Sequence, residues 1–294
     1  MYLVIGGNGY LGSYIIQSIL NTTDEKITAT ARDVSKAPRQ DRVEWTACDI
    51  TDEAAFDGLL EKVREEGGDV KCVFLAAYHH PDMVAQNPQT AWDINVTALS
   101  RCVNKLHFAK KLFYASTDSV YGNSVGGYHF KEGDELHPVN VYGRNKAAAE
   151  AVVVYSGFNV VRFPFLIAPS LAPSKKHFYD FIAEDLLAGK PVEMFEDSYR
   201  SSLNFATAAD LTVRLCETEG AVPSVLNVCG DEDLSKYDVG LLLADKLGVS
   251  RELVRPIKAA GDNGIFKSPR ALSTLMDNSK LKGFLGLSEV RFVI

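Results

Sequence analysis

The 294-residue sequence predicts an α/β fold: a doubly wound parallel sheet that carries a smaller C-terminal lobe. Three observations predict it. Short β-rich runs alternate with helical patterns through the first half, as successive βαβ units do. The segment Val4-Ile5-Gly6-Gly7-Asn8-Gly9-Tyr10-Leu11-Gly12 joins the first run to the first helical pattern through glycines. Beyond about residue 165 the regular alternation gives way to unevenly spaced elements.

Strands are expected near 2–6, 26–31, 42–46, 71–76, 111–116 and 158–163, with helices near 10–20, 52–65, 89–107 and 141–155. The second half offers a loop rich in Pro, Ser and Lys over 168–177, a helix near 178–188, a strand near 225–229, a helix near 235–247 and a loose C-terminal segment. Residues 1–164 then form a dinucleotide-binding domain to which 205–228 return, and 165–204 with 229–294 form a substrate-binding lobe. No internal repeat is visible.

Composition narrows the function classes. A net charge of −7 gives no general attraction to nucleic acid or to an anionic membrane, although a local basic cluster can still meet a small anion. No apolar run approaches the roughly 18 residues of a membrane span, so a soluble protein is expected. Met1 leads directly into the first strand without a basic region or small-residue cleavage site, so no secretory signal is expected. The five scattered cysteines read as reduced core residues of a cytoplasmic protein. No His/Cys cluster has metal-ligand spacing, and no metal is expected.

The glycine segment stands where a dinucleotide pyrophosphate would meet the N–H groups and dipole of a helix N-terminus. Its spacing fits both turn patterns in use there, Gly7/Gly9/Gly12 and Gly6/Gly9/Gly12. The second strand ends in Thr28-Ala29-Thr30-Ala31-Arg32, with no acidic residue at the usual ribose position. Arg32 can instead bind a 2′-phosphate, which favours NADP, while the neighbouring Asp33 could take the ribose as in an NAD enzyme. After the third strand, Asp49 can accept from the adenine amino group with Ile50 over the ring, or serve as a helix cap.

Chemistry is concentrated in two later segments. In Tyr142-Gly143-Arg144-Asn145-Lys146, four residues of helical separation put the phenol and the ammonium on one face, where Lys146 can stabilise a Tyr142 phenolate. In Ser116-Thr117-Asp118-Ser119-Val120-Tyr121-Gly122, an apolar strand breaks into polar residues at its C-terminal end, the edge of a parallel sheet where ligands bind. A hydroxyl there can hold a substrate carbonyl while Tyr142 moves the proton. Tyr78 and His79 follow the fourth strand on the same edge and could face substrate. Lys175, Lys176, His177, Arg200 and Arg270 are candidate diphosphate ligands of the second lobe.

Taken with Leu75-Ala76-Ala77, Asn95-Val96, Arg162-Phe163-Pro164, Asn227-Val228-Cys229-Gly230 and Asp277-Asn278-Ser279-Lys280, these segments resemble an extended short-chain dehydrogenase/reductase acting on nucleotide sugars, over nearly the whole chain. The resemblance implies a catalytic set of Thr117, Tyr142 and Lys146 with Asp118 beside it. It implies a cofactor held by Gly6, Gly9, Tyr10, Leu11, Gly12, Arg32, Asp49, Ile50, Leu75, Ala76, Ala77 and Phe163, besides Tyr142 and Lys146. Substrate would meet Tyr78, His79, Thr117 and Arg200. Similar 4,6-dehydratases carry an Asp-Glu pair after the threonine; here Asp118-Ser119 lacks that carboxylate base, and the sequence instead resembles the dTDP-4-dehydrorhamnose reductase group. The implied activity is NAD(P)H-dependent reduction of a 4-keto nucleotide sugar. An NAD-dependent epimerase and a non-catalytic dinucleotide-binding regulatory subunit are the alternatives. Apolar positions on 89–107 and 141–155 lead to the expectation of a homodimer.

Overall fold

Seven parallel strands form one sheet in the spatial order Val225–Asn227, Asn159–Phe163, Lys111–Thr117, Lys71–Phe74, Tyr2–Ile5, Ile27–Ala31 and Val43–Ala47. This computed structural model describes residues 1–172, 175–260 and 266–294. Pro173 and Ser174 of the Pro/Ser/Lys-rich loop, and residues 261–265 of the C-terminal segment, lie outside the described residues.

The order reflects a chain that builds outward from Tyr2–Ile5 on one side, then returns to begin again on the other with Lys71–Phe74. A crevice therefore opens at the strands' carboxyl ends where the winding reverses, between Gly6 and the residues after Phe74. Alternation along the first strand shows how both faces are covered. Leu3 and Ile5 pack into one core with Phe56, Leu60 and Val103, while Tyr2 and Val4 pack into the other with Ile15, Ile19 and Leu211. A third core, around Ile182, Met194, Leu243 and Val254, is built from second-half elements.

All six first-half strands and the Val225–Asn227 strand stand where the sequence placed them. Three features differ. The helix expected over 89–107 is divided into Pro88–Trp92, a π-helical turn Asp93–Ala98 and Leu99–Lys105. Within that wide turn the buried Asn95 accepts from Tyr78 N at 2.8 Å and donates to Tyr78 O at 3.0 Å, fastening the loop on the crevice edge. The helix Phe205–Glu217, not individually anticipated, packs along Tyr10–Thr22, with its start capped by Asn204. The C-terminal segment is not loose: Val254–Ile257 pairs in parallel with Val192–Phe195, Leu275–Met276 with His129–Phe130, and Ser279–Leu285 is a helix. Among the described residues, no helix is long and apolar enough to cross a membrane.

Candidate active site

The glycine turn is shaped by close backbone approach. Gly6 has a φ of +88°, and a Cβ on it would stand 3.0 Å from Ala76 N. At Gly12 a Cβ would come within 2.5 Å of Gly6 O, so only glycine lets the first helical turn seat on the loop. Gly6 N donates to Thr30 Oγ1 at 3.1 Å and Gly7 N to Thr30 O at 2.8 Å, tying the loop to the second strand. The result is a crevice of about 380 Å³ walled by Gly6 and Gly9 on one side, Leu75-Ala76-Ala77 on another and Asp49-Ile50 on a third. The cradle fits a dinucleotide: open backbone at a helix N-terminus and apolar walls for flat rings.

Not every residue expected at the cofactor lines this crevice. Tyr10 packs its ring against Phe205 and edge-on to His177, at a centroid distance of 4.7 Å, and donates to Lys176 O at 2.8 Å; aromatic partners in the second half of the chain claim it. Leu11 packs into the core, and Phe163 is buried there beside Val161 and Leu203. Arg32 is exposed at the crevice mouth, with no hydrogen bond to another described residue. Asp33 accepts from Ser35 N at 2.8 Å, and the Ser35 hydroxyl, with this N–H second, holds its carboxyl below the usual range. Asp49 accepts from Thr51 N at 2.9 Å and Thr51 Oγ1 at 2.7 Å; the helix cap beyond it is Asp52, which accepts from Ala55 N.

The strand Lys111–Thr117 ends in a single 3₁₀ turn, Asp118–Val120. Thr117 Oγ1 donates to Asp118 Oδ1 at 3.0 Å and accepts from Ser119 N at 3.2 Å. Tyr142 begins the helix Val141–Tyr155, whose N-cap Asn140 accepts from Gly143 N at 2.9 Å and donates to Pro269 O at 3.0 Å. A Cβ on Gly143 would lie 2.3 Å from Ser119 O. Glycine is thus what allows this helix to press onto the Thr117 turn, a role the sequence reading left unassigned.

Lys146 is buried on the same helix face, one turn on. Its Nζ donates to Ala115 O at 2.5 Å and sits 4.0 Å from the centre of the Tyr114 ring. Burial lowers its pKa to about 7, partly opposed by the Glu150 carboxylate. Tyr142 is half-buried, and desolvation, with the Asp118 charge second, raises its pKa well above the ordinary phenol value. No hydrogen bond joins Lys146 to Tyr142 among the described residues; the pair share a face, not a direct bond.

Arg200, expected on substrate, directs its guanidinium to the protein. Nε lies 3.0 Å from Asp118 Oδ2, one terminal nitrogen donates to Tyr199 O (2.7 Å) and Leu272 O (2.8 Å), and the other to Ala271 O (2.7 Å). It clamps the Thr117 turn to the second-half segments. Arg200 also lines a cavity of about 490 Å³ with Phe195, Lys236, Phe266, Lys267 and Arg270. Burial, then the Arg200 and Arg270 charges, lower the Lys236 pKa to about 8, and Arg270 is paired with Asp82 at 3.0 Å. Lys236, Lys267 and the two phenylalanines carry no local motif and were not anticipated. His79 stands exposed on the crevice edge. Lys176 pairs with Glu184, and His177 caps the helix Phe178–Leu187 through a capping box with Asp180.

Behind the site, Ser116 and Arg162 are direct partners on adjacent strands, and Glu150 reaches down to both. Arg162 Nε donates to Glu150 Oε1 at 3.0 Å and its terminal nitrogen to Oε2 at 2.6 Å; Ser116 Oγ donates to Oε1. Arg162 also donates to the Tyr121 hydroxyl at 2.6 Å, which donates to Asn227 Oδ1 at 2.8 Å. This buried chain links the Lys146 helix, the Thr117 strand and the sheet edge.

A parallel sheet in this order, with a glycine turn at its switch point and a Thr/Tyr/Lys set beside the adjoining strand end, defines the fold of the extended short-chain dehydrogenase/reductases. The chain belongs to the RmlD substrate binding domain family, whose model matches residues 1–292. Among similar proteins, methionine adenosyltransferase 2 subunit beta of Xenopus laevis is 24% identical over 247 residues, 82% of this chain and 71% of that protein. dTDP-4-dehydrorhamnose reductase of Mycobacterium tuberculosis is 25% identical over 269 residues, covering 88% and 79% respectively. Two solved structures share the fold. dTDP-4-dehydrorhamnose reductase from Bacillus anthracis, in complex with NADP, has a TM-score of 0.81 at 17% identity, covering 99% of this chain and 94% of that one. Thermus thermophilus UDP-glucose 4-epimerase, in complex with NAD, has a TM-score of 0.77 at 18% identity, covering 96% and 92%.

Proposed function

We propose that this protein is an NAD(P)H-dependent reductase of a 4-keto nucleotide sugar, with NADPH the favoured cofactor. The observation that carries the reading is the state of the Thr117 turn. The helix that carries Tyr142 and Lys146 presses onto the Thr117 turn through Gly143, and the only carboxylate on the turn, Asp118, is engaged by Thr117 and Arg200. Tied in this way, Asp118 positions Thr117 and is not a base for water elimination. When bound, the reduced nicotinamide supplies the hydride. Thr117 holds the substrate carbonyl, Tyr142 delivers the proton, and Lys146 lowers the cost of leaving a phenolate and meets the nicotinamide ribose.

Gly6, Gly9 and Gly12 shape the pyrophosphate cradle, Asp49 and Ile50 receive the adenine, Leu75-Ala76-Ala77 wall the crevice, and Arg32 meets the 2′-phosphate. Tyr10, Leu11 and Phe163 support the cradle from behind. Tyr78 and His79 border the sugar. The cationic cavity beside Arg200, with its Phe195 and Phe266 walls, suits an anionic nucleotide diphosphate despite the chain's net charge of −7. In this reading residues 1–164 with 205–228 hold the cofactor, while 165–204 and 229–294 hold the substrate.

The test follows absorbance of the reduced cofactor with a panel of 4-keto nucleotide sugars. Stoichiometric loss is expected. Sugar inversion without loss would make the protein an epimerase, and tight dinucleotide binding without turnover on any keto-sugar would make it a regulatory subunit. A cytoplasmic location fits five cysteines that are all buried and unpaired. A homodimer through residues 89–107 and 141–155 fits the exposed Trp92, Val154 and Tyr155 there. Light scattering that gives a monomer mass at micromolar concentration would end that expectation.

A further inference from the structure

Two cavities meet over the glycine turn. The dinucleotide crevice and a neighbouring cavity of about 660 Å³ share three lining residues: Asn8, Arg32 and Lys175. Asn8 belongs to the turn and Arg32 to the end of the second strand, whereas Lys175 arrives from the segment that leaves the sheet after Phe163. Its Nζ donates to Asn8 O at 3.1 Å. Contacts on either side of Lys175 hold Pro169 and Lys176 against the first helix. Tyr14 donates to Pro169 O at 2.7 Å, Tyr10 donates to Lys176 O at 2.8 Å, and the His177 ring stands edge-on to Tyr10.

The charges around this shared mouth are uneven. Arg32, Lys36 and Lys175 supply three cations. The carboxylates nearby are Asp33 and Asp49, and each is already engaged by a backbone N–H of its own loop. The Arg32 charge helps to hold the Asp49 carboxyl below its ordinary range without a close ion pair, and the Lys175 ammonium donates to the Asn8 carbonyl rather than to a carboxylate. A dinucleotide laid along the turn brings its adenosine ribose to the end of the second strand, beside Arg32. A 2′-phosphate there carries close to two negative charges and three acceptor oxygens; a 2′-hydroxyl carries none of that charge.

We infer that Lys175 is a specificity-determining residue for the cofactor: it reaches from the substrate-lobe segment across the glycine turn to take the 2′-phosphate with Arg32. This rests on the NADPH reading above. It adds that Lys175 distinguishes the two dinucleotides, since only NADPH brings a 2′-phosphate beside Arg32.

Isothermal titration calorimetry tests this without turnover, using NADPH, NADH, adenosine 2′,5′-bisphosphate and 5′-AMP as probes. Lys175→Ala should weaken NADPH and the bisphosphate about three- to tenfold, as expected for loss of one partly solvated charge-assisted contact, and leave NADH and AMP unchanged. Lys175→Arg should restore most of the difference. Lys176→Ala should move none of the four affinities, because that ammonium is paired with Glu184. Equal weakening of all four probes would place Lys175 on the adenosine 5′-phosphate that they share or make it a support of the turn, and would overturn the inference. So would an unchanged preference in Lys175→Ala when Arg32→Ala abolishes it. A wild-type protein that binds NADH as well as NADPH would instead remove the NADPH reading itself.

Discussion

Tyr142→Phe is expected to lower turnover by about two orders of magnitude or more while leaving dinucleotide affinity nearly unchanged. The substitution removes one hydroxyl and keeps the ring. Tyr142 OH has no hydrogen-bond partner among the described residues, so no hydrogen bond to any of them is lost with it. Near-normal turnover in Tyr142→Phe would dispose of the proton-transfer assignment. The pH profile adds a separate check. Tyr142 is held protonated across the working range, because desolvation and the Asp118 charge both raise its pKa. Lys146 titrates at about 7, lowered by burial from the ordinary lysine value. Below that pH it is charged and eases proton release from Tyr142; above it the assistance fades. Reduction, read as kcat/KM of the free enzyme, should therefore fall as pH rises through about 7. In Lys146→Arg the residual rate should show no such limb, since a guanidinium stays charged. A wild-type profile flat from pH 6 to 8 would contradict the arrangement.

How much of this was legible in the sequence depended on whether the cause was local. Gly9 and Gly12 mark the turn through approaches close in the chain, a Cβ at Gly12 falling 2.5 Å and one at Gly9 3.3 Å from Gly6 O, whereas Gly6 is read from its spacing alone and meets Ala76 across the crevice. Thr117 and the Tyr142–Lys146 pair were legible for the same reason: a strand end and a helical repeat are local patterns. Arg200 was read as a substrate cation because its partner, Asp118, lies 82 residues earlier, and no spacing rule connects the two. The strand pairs Val192–Phe195 with Val254–Ile257 and His129–Phe130 with Leu275–Met276 were invisible on the same grounds. Each is short, and each is fixed by what packs on it. Tyr10 is a further case of a distant cause. It was read from its place in the glycine segment, but the Phe205 and His177 rings that pack against it come from elements whose approach only the fold reveals.

Arg162→Ala is expected to cost about 3–5 kcal/mol of folding stability, the range for stripping one partner from a buried ion pair. Arg162 and Glu150 side chains are each 4% exposed, and their nearest nitrogen–oxygen separation is 2.6 Å. Without the guanidinium, the Glu150 carboxylate keeps only the Ser116 hydroxyl in a space water does not reach, and the Tyr121 hydroxyl loses its donor. Urea denaturation should show the loss as a lower midpoint, and a change below about 1 kcal/mol would mean that the pair is not buried in solution. The double variant Glu150→Leu/Arg162→Met separates the penalty of an orphaned charge from the net contribution of the pair, because it leaves neither charge behind. It should be markedly more stable than Arg162→Ala, with a coupling of roughly 2 kcal/mol or more between the two sites. Catalysis should not recover with stability in that double variant. Glu150 lies one helical turn beyond Lys146 and is the carboxylate that partly offsets its desolvation, so its loss lowers the Lys146 pKa further. The fall in kcat/KM should accordingly begin at a lower pH than in the wild type.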